Sequence, residues 1–158
     1  MPSRRLIAAA ILGFVALAAV LLIPRGGGGA LSKPEYEQKV RAAYADVQEA
    51  FQKTNVTSTK LLAARVGEAQ SELRRAADEL DDEKAPGDIA NENDQLVEGM
   101  REYADDLEEL RLAAERDDAA GVQRFNQSIP QNPAVMQMAE AAEEMKFEGY
   151  DLGPISEE

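Results

Sequence analysis

The chain has 158 residues, with no cysteine, no histidine and a formal net charge of −13. The missing cysteine excludes disulfides, thiol catalysis and a lipidated-cysteine anchor, and the missing histidine removes the commonest general base, metal ligand and pH switch. All 30 acidic residues and 14 of the 17 basic ones follow residue 31, so that part carries −16, a field that repels phosphate backbones and argues against nucleic-acid binding.

Arg4 and Arg5 precede an unbroken apolar run from Leu6 to Ile23. As a helix, its 18 residues would span about 27 Å, close to the hydrocarbon thickness of a bilayer. Residues 1–25 are therefore read as a transmembrane anchor or uncleaved signal, with membrane contact through residues 6–23. A small-x-small site at Gly28-Gly29-Ala30 leaves open the alternative of a signal cleaved before Leu31. Residues 26–31 form a glycine-rich tether whose four glycines reach no more than ~14 Å. The basic start followed at once by the apolar run favours a body outside the cytoplasm, although Arg25, Lys33, Lys39 and Arg41 blunt the charge asymmetry.

Residues 32–158 read as an acidic all-α bundle, because apolar residues recur at 3–4 spacing and no segment alternates as a strand would. Ser32-Lys33-Pro34-Glu35 is a capping box with proline in the first turn, opening a helix to about Lys53 with a seam of Tyr36, Val40, Ala43, Val47 and Ala50. Ser58 caps a second helix reaching about Glu83, whose seam is Leu62, Val66, Ala69, Leu73, Ala76 and Leu80. Lys84 to Gly87 break the chain. Asp88 is placed to cap a third helix with the longest seam: Ile89, Asn93, Leu96, Met100, Tyr103, Leu107, Leu110 and Ala114. Asp117 and Asp118 mark a break. A short fourth helix points Val122, Phe125 and Ile129 inward and stops at Pro130. Asn132-Pro133 restarts the chain with a stripe of Val135, Met138, Ala142 and Met145, and Gly149 ends it. Short connections make neighbours antiparallel, so three long helices and a broken fourth form an up-down-up-down bundle.

Four features compete as functional signals. Glu98, Glu102, Asp105 and Glu109 fall 4, 3 and 4 apart on one helix face, either a landing strip for a basic partner, a weak divalent-cation site or a solvated face. Asp78, Glu79, Asp81, Asp82 and Glu83 crowd the end of the second helix, where acids oppose the helix dipole. Asn93 interrupts an apolar seam and either fixes register or sits at a frayed rim. Met100, Met136, Met138 and Met145 read as core rather than as an adaptable binding surface. Self-repulsion predicts stabilisation by salt, and by mild acidification wherever neighbouring carboxylates raise one another's pKa. No catalytic, cofactor-binding or metal-ligating constellation is assigned: carboxylate-bridged metal bundles need Glu-x-x-His pairs, and no G-x-S-x-G, Walker or G-x-G-x-x-G motif is present.

The apolar start, the opening Leu31-Ser32-Lys33-Pro34-Glu35-Tyr36, the break Lys84-Ala85-Pro86-Gly87-Asp88 and the ending Gly149-Tyr150-Asp151-Leu152-Gly153 resemble a loose group of small exported or membrane-anchored helical proteins of high-GC Gram-positive bacteria. The resemblance covers most of residues 31–153. It implies a fold and an envelope location but no activity. Members of that group often carry cysteines in the first helix and near the C-terminal glycines; any disulfide closing the bundle in them is missing here. The expected role is a membrane-anchored, non-catalytic bundle that binds or scaffolds a protein partner at the cell envelope. The alternative is a helical stalk or adaptor subunit of an integral-membrane complex.

Overall fold

A computed structural model describes residues 29–153. The apolar run 6–23, residues 26–28 of the expected tether and the last five residues lie outside the described residues. Among those described, no helix is long and apolar enough to cross a membrane.

The described chain is all-helical. It comprises α1 (Lys33–Gln52), α2 (Thr59–Asp82), α3 (Ala90–Glu115), α4 (Ala119–Ser128), a 3-10 turn (Ile129–Gln131) and α5 (Pro133–Phe147). Helix starts follow local chemistry. The Glu35 carboxylate accepts from the Ser32 backbone N–H at 2.9 Å and from its hydroxyl at 2.6 Å, which holds the Glu35 carboxyl below its usual range. Ser58, Asp118 and Asn132 side chains accept from the N–H groups of Leu61, Gly121 and Val135, each three residues on. Asp88 does not cap α3. Ile89 holds that position with no side-chain bond, while the Asp88 carboxylate accepts the Tyr150 hydroxyl at 2.9 Å. Pro130 does not end a helix cleanly either. It sits inside the 3-10 turn, which tolerates its missing N–H and joins α4 to α5.

α2 and α3 form the spine. Every expected seam residue of both helices is buried, including Leu73, Leu107 and Leu110, each at most 3% exposed. α1 lies on α2 through Tyr36, Val40 and Ala43, while Val47 is only half-buried and Gln48 takes an inward place. α5 lies on α3 along a stripe that keeps the expected Ala142 and Met145 and adds two alanines. Ala134, Ala141, Ala142 and Met145 are buried, whereas Val135 and Met138 are only partly covered. The reason is close approach. A Cβ built on Gly99 of α3 would stand 2.8 Å from Met138 Cγ and 3.1 Å from the Ala134 carbonyl oxygen, so the two backbones meet across small residues. Of the methionines read as core, Met100 and Met145 are buried and Met136 is 57% exposed.

The chain then turns back under the bundle. Gly149, at φ +82°, closes α5 with the Tyr150 N–H donating to the Met145 carbonyl at 3.0 Å and the Gly149 N–H to that of Lys146 at 2.8 Å. Tyr150 and Leu152 are 3% and 0% exposed, so the tail is core.

Candidate functional site: an acidic groove on the α2–α3 face

Four of the five acids at the end of α2, Asp78, Glu79, Asp81 and Glu83, pair with cations, from α3, from α1 and from α2 itself. The Arg101 guanidinium donates to Asp78 at 2.7 Å and Asp81 at 2.8 Å, Lys39 of α1 donates to Glu83 at 2.6 Å, and Arg75 bridges Glu72, Glu79 and Asp46. Those acids, unfavourable for the dipole of α2 alone, are sites where α1 and α3 are tied to it. These carboxylates raise the Arg101 and Arg75 pKa values.

The ladder on α3 divides. Asp105 accepts from Arg74 of α2 at 2.7 Å, and Glu98 accepts from Gln137 of α5 at 3.2 Å, so two of the four rungs hold neighbouring helices. Glu102 and Glu109 remain exposed. Together with Asp81 and Asp94, Glu98, Glu102 and Asp105 line a shallow open depression of about 440 Å³ floored by Val97 and bordered by Arg101. Among the described residues no group of three or more acidic side chains converges to hold a metal ion. The groove thus offers spaced carboxylates along one helix edge, suited to several cationic side chains in a row rather than to one ion. Outside the ladder, hydrogen bonds from Arg111 and Lys53 lower the Glu108 and Glu49 carboxyl groups, as Ser32 lowers Glu35.

Asn93 is buried at 4% exposure and accepts the Tyr36 hydroxyl at 2.9 Å, so the polar seam residue ties α3 to α1. Around that bond the three motif segments meet at one end of the bundle. The Leu31 N–H donates to the Lys84 carbonyl at 2.8 Å. The Tyr36 and Tyr150 rings pack edge-to-face at 5.9 Å, and Lys33 Nζ lies 4.4 Å above the Tyr150 ring. Arg41 Nε donates to the Asp151 carbonyl at 2.9 Å, and the Asp151 N–H donates to Glu37 at 2.9 Å. The sequence pattern places no core residue after Gly149, yet Tyr150 and Leu152 are buried. Their only warning was two apolar side chains placed between two glycines, Gly149 and Gly153.

Compared with protein-family models, curated proteins and solved structures, the chain matches none.

Proposed function

We propose that this is a membrane-anchored, non-catalytic helical bundle that binds or scaffolds a protein partner at the cell envelope, held by residues 6–23 and standing outside the cytoplasm. The proposed contact surface is the α2–α3 groove. The observation that carries this reading is the row of carboxylates beside Arg101 that no cation neutralises among the described residues: Asp94, Glu102 and Glu98, the last held only by the neutral amide of Gln137, outnumber the single guanidinium, and the groove runs along a helix edge. A segment bearing Lys or Arg at one-turn intervals would complement it. The envelope location is supported by the 18-residue apolar run and by the likeness of the three motif segments to exported helical proteins.

The test is crosslinking in the native membrane with the full chain and with the double substitution Glu98→Lys and Glu102→Lys. Loss of the specific adduct in a variant that melts like the parent supports the groove as the contact. An unchanged adduct overturns it. Reporter fusions at either end of the chain read the orientation independently.

A further inference from the structure

Phe147, the last residue of α5, is 90% exposed, the most open large apolar side chain among the described residues. It stands two positions after fully buried Met145, which places it about 200° round the helix from the core. The end of the bundle that carries it is also the end where the described chain begins. Lys33 Nζ donates to the carbonyl of Glu148, next to Phe147, at 3.3 Å, and Leu31 is pinned to Lys84 in the α2–α3 connection. Seven residues, 24–30, separate Ile23 from Leu31, so the two lie at most roughly 29 Å apart. The other exposed large apolar residues lie elsewhere: Leu61 starts α2 at the far end, and Met136 lies about 16 Å up α5 from Phe147.

We infer that Phe147 seats in the lipid interface, so that the bundle stands end-on against the bilayer; this rests on the anchor reading of residues 6–23. The contact is apolar rather than electrostatic, because Glu143, Glu144 and Glu148 surround Phe147 in the chain and outnumber Lys146 and the nearby Lys33. A lone aromatic ring binds a membrane weakly by itself. Tethering turns its insertion into an intramolecular step, which makes a single side chain enough to bias the domain's orientation. The Tyr36–Tyr150 packing and the Asp151 clamp fix this end, so the ring is presented by a rigid support.

The chain contains no tryptophan, so Phe147→Trp and Met136→Trp each introduce a single tryptophan whose emission is excited apart from that of the tyrosines. The full chain carrying either substitution is reconstituted in phosphatidylcholine vesicles with brominated acyl chains, and flotation reports membrane association. The expected result is blue-shifted, strongly quenched emission for Phe147→Trp and unquenched, water-like emission for Met136→Trp, both chains floating. Flotation with neither position quenched leaves the anchor standing and overturns the lipid contact. Equal quenching at both positions means that α5 lies flat on the bilayer, which overturns the end-on arrangement. A chain that does not float refutes the anchor reading and this inference with it.

Discussion

The α2–α3 spine and the α5–tail layer solve the same packing problem with different materials. The spine interlocks large branched side chains, Leu62, Leu73 and Leu80 against Leu96, Leu107 and Leu110, and ties its flanks with Arg74–Asp105 and Arg101–Asp78. α5 instead brings Met138 and the Ala134 carbonyl against Gly99, buries Ala134, Ala141 and Ala142, and has Met145 as its largest fully buried side chain. Small residues permit close backbones but remove little apolar area from water per turn. The layer is completed by Tyr150 and Leu152, which arrive only after the helix has ended. The spine is thus cohesive by itself, whereas α5 depends on the tail that follows it.

The largest expected difference comes from the spine. Leu107 is 1% exposed, and Leu107→Ala should cost on the order of 2–5 kcal/mol in urea melts. Glu109→Ala, exposed on the same helix, should change stability by less than about 0.5 kcal/mol. Equal effects would dissolve the distinction between seam and surface on α3.

Alkali should act next. Burial, with Asp106 nearby, pushes the Tyr103 hydroxyl from 10.0 up to about 12, and burial also raises Tyr36. A phenol whose pKa is raised on folding holds its proton longer in the folded state. Its contribution is complete below the unfolded value of 10.0 and is lost as pH rises to about 12. For Tyr103 this is on the order of 2 kcal/mol. Urea midpoints between pH 9 and 12 should fall, and Tyr103→Phe should flatten the fall. An unchanged slope would show that Tyr103 is already open to water.

The smallest effect is a contrast of sign between two glycines. Gly67→Ala meets only Arg111 Cδ at 3.8 Å and should gain about 0.5–1 kcal/mol of helix stability. Gly99→Ala would press on Met138 and on the Ala134 backbone and should lose on the order of 1 kcal/mol net. Thermal melts that raise both would mean that α5 is not held against α3.

What could be read in the sequence follows the same division. The 4-3-4 seams of α2 and α3 were legible because each large apolar residue has one sensible place to go, and all of them are buried. Ala142 and Met145 of the α5 stripe are buried as expected and Val135 and Met138 pack at its edge, while Ala134 and Ala141 escape the reading because they look no more apolar than their neighbours. The close approach of the α5 backbone at Ala134 and Met138 depends on Gly99, a residue of another helix. Asp88 resembled a helix cap because its local sequence suits one, yet the Tyr150 hydroxyl, 62 residues away, claims its carboxylate. The spacing of the acidic ladder was visible, but its division into tied and open rungs was not. That division depends on where Arg74 and Gln137 arrive from other helices.

Native-state hydrogen exchange on the full chain compares the two regions in one experiment. Amides around Leu73 and Leu107 should exchange only through global unfolding. Those of Ala141 and Met145 should open at a clearly lower free energy, lowered further by Tyr150→Ala while the spine remains protected. Protection of α5 equal to that of α2 and α3, unmoved by Tyr150→Ala, would contradict the account of a cohesive spine with a tail-dependent layer.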